Sequence, residues 1–210
     1  LRYKLSIWDS VTFKYTFSAY TIIDKDIYLP ASATQEFVSK IFPKKSVITN
    51  YKTTAKSTNI KYNMKHQPRD ELQKQAISFL WKMNDDYNQR GRFLSLATGS
   101  GKTFVTIYML SKLEKKSMIV VDTLELANQW KKEFLNHSDL KEEDVIILSG
   151  SESVENEIKD KSAKIYIGMH RTLGNMISED TNSVNNLMNK LGIGVRVFDE
   201  AHVEFKNISM

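Results

Sequence analysis

The sequence predicts an α/β protein whose main domain is a doubly wound parallel sheet, preceded by a small α+β domain. Two observations predict this division. From residue 68 onward, short and wholly apolar runs recur at intervals of about 20–30 residues, which is typical of buried parallel strands joined by crossover helices. Before residue 51, apolar and polar residues alternate, as they do in half-exposed strands. We therefore predict a basic α+β domain at 1–51, a polar linker at 52–67 and the α/β domain at 68–210.

The first domain is expected to contain two strands and one helix. Alternation predicts strands at 11–17 and 21–29, with a bend near Asp24 and Asp26, and a helix is predicted at 31–42. Six aromatic residues lie in this part: Tyr3, Trp8, Phe13, Tyr15, Phe17 and Tyr20. They could stack on nucleic-acid bases, although aromatic side chains on alternating strands more often form a core.

Charge is distributed unevenly along the chain. Residues 1–66 contain 11 Lys and Arg against 4 Asp and Glu, whereas residues 67–210 contain 19 against 21. A basic segment in front of a nearly neutral domain indicates contact with nucleic acid, and a solubilising surface is the alternative.

The α/β domain is expected to begin with a helix and to continue with five strands. The inward face of the first helix is predicted to carry Leu72, Ala76, Phe79 or Leu80, and Met83. Strands are predicted at 93–96, 118–121, 145–148, 165–167 and 195–198. Helices are predicted at 102–113, 123–136, 153–160 and 170–190, with a break expected around 180–182.

A glycine-rich loop follows the first of these strands. Residues 97–103 read Ala-Thr-Gly-Ser-Gly-Lys-Thr and separate a predicted strand from a predicted helix. Gly99 and Gly101 allow the backbone N–H groups of the loop, Thr98 and Ser100 included, to point at phosphate oxygens, and the helix N-terminus adds positive potential. Lys102 would reach the β- and γ-phosphates of ATP, and the hydroxyl of Thr103 would bind Mg²⁺.

Two adjacent carboxylates follow the last predicted strand. Residues 197–202 read Val-Phe-Asp-Glu-Ala-His. Asp199 is where a strand-end acid would hold Mg²⁺, Glu200 could act as the general base on the attacking water, and His202 could relay between nucleotide and nucleic acid. An acidic surface turn is the alternative, but the glycine-rich loop upstream makes it the weaker one.

Composition excludes several other kinds of site. The chain has no cysteine, so disulfides, thiolate nucleophiles and cysteine-based zinc sites are excluded. Its four histidines stand at no metal-ligand spacing. No apolar run approaches the roughly 18 residues of a membrane span, so we expect a soluble protein of the cytoplasm or nucleus, without a membrane partner.

The two main motifs resemble those of the superfamily 2 DEAH-box helicases. Residues 97–103 resemble motif I, and residues 199–202, which read Asp-Glu-Ala-His, resemble motif II. The resemblance is strongest to phage and large-virus members, including helicases that remodel branched DNA. It implies a RecA-like first lobe, ATP and Mg²⁺ as cofactors, and nucleic acid as partner, with DNA favoured over RNA.

Weaker motifs agree in their order along the chain. Residues 69–73 resemble the Q motif, in which Gln73 would read the adenine edge; a solvated helix position is the alternative for Gln73. Residues 120–130 are similar to motif Ia, in which Thr123 would contact a nucleic-acid phosphate. Family members usually carry proline before this threonine, and Asp122 stands there, so Thr123 could instead cap a helix.

The resemblance also implies a second RecA-like lobe carrying an arginine finger. We expect this chain to be the N-terminal portion of a longer helicase and to hydrolyse ATP very slowly alone. Three other interpretations stay open: an RNA helicase, a double-strand DNA translocase of the restriction-motor type, and a docking module that leaves its ATP site unused. The intact Lys102, Thr103, Asp199 and Glu200 count against the last of these.

Overall fold

The computed structural model describes residues 6–9, 14–18, 21–23, 26–28, 40, 57–81, 94–160, 162–179 and 183–199. The described residues fall into two compact units. The first contains the short strands before residue 29, and the second contains residues 57–80 and 94–199. In the described ranges, no helix combines the length and the apolar character that crossing a membrane requires.

The first unit contains two antiparallel strand pairs. Strand β1 (Ser6–Asp9) pairs with β2 (Lys14–Ser18), and β3 (Thr21–Ile23) pairs with β4 (Asp26–Tyr28). The single strand predicted at 21–29 is therefore replaced by two strands that pair with each other, with Ile23 opposite Asp26. Strand β1 has no counterpart in the sequence prediction. The helix predicted at 31–42 lies outside the described residues except for the helical Lys40.

The second unit is built on a four-stranded parallel sheet. Its strands are β5 (Ser117–Val121), β6 (Val145–Leu148), β7 (Ile165–Met169) and β8 (Val195–Phe198). They are ordered β6-β7-β5-β8, and every neighbouring pair is parallel. The α/β class predicted from the short apolar runs is confirmed.

Six helices accompany the sheet in the described part of this unit. They are α1 (Glu71–Trp81), α2 (Lys102–Leu113), α3 (Leu124–His137), α4 (Ser151–Asp160), α5 (His170–Glu179) and α6 (Ser183–Leu191), and a 3₁₀ turn at Glu142–Asp144 precedes β6. The helix predicted at 170–190 is thus divided into α5 and α6, as the expected break implied.

The sheet is covered on both faces, as a doubly wound sheet requires. Side chains of successive strand residues point to opposite faces. On one face Ile119, Val121 and Ile167 pack against α2 and α3. On the other face Met118 and Tyr166 pack against residues from α4, α5 and α6. The helices therefore bury two separate apolar layers, one on each side.

The strand predicted at 93–96 is not found in the part that the structure describes. Residues 94–97 have no strand assignment, and β5 is the only described neighbour of β8. Only three residues of the apolar run are described, and Ser95 within it is exposed. The carbonyl of Leu96 accepts a hydrogen bond from the Lys102 side chain. The described part of this run therefore has no strand neighbour to hydrogen-bond to.

The buried face of α1 also differs from the prediction. Ala76 is buried as predicted, and Leu80, the alternative to Phe79, is half-buried. Leu72 and Phe79 are 48% and 43% exposed, and the polar Gln73 is buried instead. Met83 lies outside the described residues. Gln73 faces inward because its amide donates to the carbonyl of Ser100 in the glycine-rich loop, a contact that an apolar pattern cannot reveal.

Part of the predicted linker packs against the α/β unit. Asn59 and Met64 form isolated bridges to Lys115 and Ser138. The ring of Tyr62 is buried, and its hydroxyl donates to the carbonyl of Ile107 at 3.1 Å. Burial raises the pKa of Tyr62, so the phenol stays protonated and able to donate. Residues 57–66 thus belong with the sheet and its helices.

Candidate functional site

Two of the predicted site residues, Asp199 and Thr123, follow neighbouring strands at the carboxyl edge of the sheet. Asp199 directly follows β8, and its backbone N–H donates to the carbonyl of Val120 in β5 at 3.0 Å. Thr123 follows the end of β5. Helix α2 precedes β5 in the chain, and its Ile107 and Leu110 belong to the apolar cluster on one face of the sheet. Open α/β sheets bind their ligands at the carboxyl ends of the strands.

The glycine-rich loop forms a tight turn that leads into α2. The carbonyl of Ala97 accepts from both the N–H and the hydroxyl of Ser100, at 3.2 and 2.6 Å. Gly99 and Gly101 have φ angles of 77° and 88°, a left-handed conformation that glycine adopts without steric cost. The backbone of the loop therefore favours glycine at both positions.

The two residues after the turn begin α2. The ammonium group of Lys102 donates to the carbonyl of Leu96 at 3.0 Å and so joins the end of the loop to its start. Thr103 is half-buried at the second position of α2, and Thr98 is exposed at the tip of the loop. The first N–H groups of a helix have no acceptor within the helix, so they provide hydrogen-bond donors for an anion.

Gln73 fastens the loop to the start of α1. Its side chain is only 3% exposed. Its Nε2 donates to the carbonyl of Ser100 at 3.2 Å, and its Oε1 accepts from the backbone N–H of Arg69 at 3.0 Å. A Cβ atom on Gly101 would overlap Nε2 of Gln73. The alternative of a solvated helix position for Gln73 is therefore wrong, whereas its contact with adenine stays a prediction.

Arg69 and Asp70 complete this attachment. A guanidinium nitrogen of Arg69 donates to the carbonyl of Gly99 at 3.3 Å, and its Nε donates to Asp70 at 2.9 Å. The other carboxylate oxygen of Asp70 accepts from the N–H of Gln73 at 2.9 Å. The pKa of Asp70 is lowered from its usual 3.8, first by this backbone hydrogen bond and then by Arg69. The resemblance of residues 69–73 to the Q motif did not predict these contacts for either side chain.

Thr123 caps helix α3. Its backbone is extended, and its hydroxyl accepts from the N–H of Leu126 at 3.2 Å. The sequence left two roles open for Thr123, a helix cap and a contact with a nucleic-acid phosphate, and the structure shows the helix cap. The side chain is also exposed, so a contact between Thr123 and a nucleic-acid phosphate stays a prediction.

Asp199 has a partner that sequence comparison did not identify. The indole Nε1 of Trp130 donates to Oδ2 of Asp199 at 2.7 Å, although 69 residues separate them in the chain. Trp130 stands in an apolar helix pattern with Ala127 and Phe134, which indicates only a core position. Glu200 and His202, the other predicted residues of this motif, lie outside the described residues.

Two of the predicted site residues, Thr103 and Asp199, carry donor groups that suit a magnesium–nucleotide complex. A hydroxyl on Thr103 and a carboxylate on Asp199 are the hard oxygen donors that Mg²⁺ prefers. Within the described ranges, no three His, Cys, Asp or Glu side chains gather into a metal site. Mg²⁺ is commonly held by one or two protein oxygens together with substrate phosphates, so this sparse set suits a metal that arrives with its nucleotide.

Comparison with protein families gives one match that covers most of the chain. Residues 65–207 match the family described as type III restriction enzyme, res subunit, a helicase-family domain. The chain belongs to this family. The matched range contains both motifs that carry the sequence prediction.

A solved structure resembles the fold. The crystal structure of the UvsW helicase from Bacteriophage T4 has a TM-score of 0.54 to this chain and 14% sequence identity, and the match covers 92% of this chain and 78% of that one. The likeness shows that the second unit has the RecA-like fold predicted from the sequence. No curated protein sequence matches the chain.

Proposed function

We propose that this chain is the ATP-binding lobe of a superfamily 2 DNA helicase or translocase of the DEAH-box type. The observation that best supports this proposal is the loop at 97–101, which has left-handed conformations at Gly99 and Gly101, is hydrogen-bonded to Gln73 of α1 and leads into the N-terminus of α2. The match to a helicase-family domain supports a helicase or translocase activity.

Each side chain of the proposed site has a distinct role. The loop N–H groups and Lys102 hold the phosphates, while Gln73 fixes the loop and borders the adenine site. Gln73 retains hydrogen-bonding capacity for adenine, because an amide nitrogen has two donors and an amide oxygen two acceptor positions. Thr103 and Asp199 would hold Mg²⁺, which neutralises charge on the transferred phosphate when bound.

Glu200 and His202 complete the proposed mechanism from the second motif. Glu200 would take a proton from the attacking water, and His202 would couple the nucleotide to nucleic acid. Both assignments are inferred from the sequence, in which Glu200 and His202 follow Asp199, the first residue of the second motif.

Double-strand translocation is the second candidate. The matched family is described as a restriction-enzyme subunit, which favours a motor on duplex DNA. The UvsW structure is that of a phage helicase, which favours strand separation and a phage-type relative. Two measurements would separate these activities. Strand displacement on matched DNA and RNA duplexes tests for a helicase, and triplex displacement on duplex DNA tests for a double-strand translocase.

The direct test of the proposal is equilibrium binding of a fluorescent ATP analogue with Mg²⁺. We expect Lys102→Ala to weaken binding about 10- to 100-fold, since a hydrogen bond from a charged group contributes roughly 1.5–3 kcal/mol. Lys112→Ala is the matched control, because it removes the same charge from the exposed far end of α2. Equal affinities for the wild type and Lys102→Ala would contradict the assignment of the phosphate site.

A second variant tests the proposed base. Glu200→Gln should bind the analogue as the wild type does but should slow the hydrolysis of ATP by about 10²- to 10⁴-fold, the range for a general base. The measurement is release of labelled phosphate in the presence of DNA. Normal turnover by Glu200→Gln would mean that another group activates the water.

A further inference from the structure

The hydrogen bond between Trp130 and Asp199 points to a function for an indole that the sequence pattern assigns to the core. Trp130 is the seventh residue of α3 and is 4% exposed. Its Nε1 lies 2.7 Å from Oδ2 of Asp199, at the short end of the range for N–H···O hydrogen bonds.

We propose that Trp130 is a positioning residue that orients the Asp199 carboxylate for Mg²⁺ in the nucleotide complex. This inference rests on the proposed function, because it assigns Asp199 to the metal. A carboxylate at a strand end can rotate about its side-chain bonds, and a donor fixed on one oxygen restricts that rotation. Groups that hydrogen-bond to metal ligands commonly control their orientation and basicity in this way.

The surroundings of the indole make it a rigid donor. The Trp130 ring belongs to the apolar cluster between α2, α3 and the sheet, and it packs on Phe134 with 6.0 Å between ring centroids. A large ring in a packed layer cannot turn without displacing its neighbours. The position of the N–H is therefore set by α3 as a whole.

The main chain of Asp199 is fixed from the same direction. Its N–H donates to Val120 in β5, the strand that leads into α3 through the turn at Thr123. Both the backbone and the side chain of Asp199 are thus tied to the β5–α3 segment. A purely structural tryptophan needs only an acceptor for its buried N–H, and any carbonyl would serve; here the acceptor is the predicted metal ligand.

The first test observes the indole directly. The chain has three tryptophans, so ¹⁵N-labelling gives three indole N–H signals, and Trp130→Phe assigns the one in question. We expect this signal to move in Asp199→Ala. We also expect it to move in the wild type when Mg²⁺ is added to protein saturated with a non-hydrolysable ATP analogue, and to stay in place when Mg²⁺ is added without nucleotide. A Trp130 signal that is identical in Asp199→Ala and the wild type would overturn the proposal.

The second test measures metal affinity. Trp130→Phe keeps an aromatic ring in the core but removes the donor, so the Mg²⁺ concentration for half-maximal binding of the analogue should rise about tenfold, the lower end of the effect of such partners. Phe134→Leu is the control, since it perturbs the same core cluster without removing the donor, and it should leave this concentration unchanged.

The outcomes separate the two proposals. If the wild type binds nucleotide in a Mg²⁺-dependent way and Trp130→Phe has the wild-type Mg²⁺ dependence, the positioning role is wrong and the proposed function stands. If Phe134→Leu shifts the Mg²⁺ dependence as much as Trp130→Phe, the effect comes from core packing and the positioning role is again wrong. If the wild type binds no nucleotide at any Mg²⁺ concentration, both proposals fail.

Discussion

The side-chain amide of Gln73 bridges the start of α1 and the carbonyl of Ser100 in the glycine-rich loop, with 3.2 Å between Nε2 and the oxygen. The same amide accepts from the N–H of Arg69 through Oε1. Because both ends of the amide are engaged, the helix and the loop constrain each other. The loop is thereby held in its turn by a residue that stands 27 positions earlier in the chain.

Replacing Gln73 should therefore destabilise the second unit. In Gln73→Ala, the buried carbonyl of Ser100 and the part-buried N–H of Arg69 lose their hydrogen-bond partners. An unsatisfied buried group costs about 1–3 kcal/mol, so we expect a loss of this size in the free energy of unfolding, measured by urea titration. Nucleotide affinity should fall as well, since the loop is no longer held.

Gln75→Ala is the matched control for this prediction. Gln75 is exposed on the same helix, so the substitution removes an identical amide without disturbing the loop. Stability of Gln73→Ala equal to that of Gln75→Ala would show that the bridge between α1 and the loop contributes nothing.

The two loop glycines should differ in their tolerance of alanine. Each has a positive φ, which costs roughly 1–2 kcal/mol for a residue with a Cβ. At Gly101 the new methyl would also overlap Nε2 of Gln73, whereas at Gly99 nothing lies within 4 Å of it. Gly101→Ala should thus be the more destabilising of the two in urea titration.

A double variant separates the two contributions at Gly101. Combining Gly101→Ala with Gln73→Ala removes the overlapping amide, so the two losses should sum to more than the loss in the double variant. Strict additivity would mean that the backbone angle alone sets the cost.

The pKa of Asp70 predicts a pH-dependent stability. The pKa is lowered in the folded state, chiefly by the N–H of Gln73, so the contribution of the charged carboxylate is complete above the usual value of 3.8. It is lost as the pH falls through 3.8 toward the folded-state pKa, because protonation then favours the unfolded chain.

Asp70→Asn isolates this effect. Asparagine keeps an acceptor for the helix cap but does not titrate, and the other acids titrate alike in both proteins. The stability advantage of the wild type over Asp70→Asn, from urea midpoints, should be constant near neutrality and should shrink below about pH 4. An advantage that persists unchanged at pH 3 would contradict the assigned direction of the shift.

The parts of the fold that were predictable are those with a local signal. Helix α2 follows a glycine pair and a continuous apolar stretch, and its predicted bounds, 102–113, are those of the structure. Strands β6 and β8 likewise match the apolar runs at 145–148 and 195–198. In each case the residues adjacent in sequence are enough to predict where the element begins and ends.

The unpredicted parts depend on contacts between distant residues. The sequence pattern alone indicates a surface position for Gln73, and only the structure shows its hydrogen bond to the loop carbonyl of Ser100. The pattern likewise indicates a core position for Trp130, and only the structure shows that its N–H donates to Asp199. The failure at 94–96 is of the same kind, since an apolar run becomes a strand only when a neighbouring strand hydrogen-bonds to it.

The remaining ambiguity at Thr123 can be resolved by a substitution that separates capping from phosphate contact. Aspartate caps helices at least as well as threonine and interacts favourably with the positive helix end, so Thr123→Asp should keep or raise the stability of the unit. Its carboxylate would repel a nucleic-acid phosphate. If Thr123 contacts the backbone of a bound strand, affinity for labelled single-stranded DNA, measured by anisotropy at fixed salt, should fall about tenfold.

Thr123→Asn is the neutral control, which keeps the cap without the charge. Equal DNA affinities for Thr123→Asp and Thr123→Asn would assign Thr123 to the helix cap alone, since a negative charge placed against a phosphate cannot leave binding unchanged.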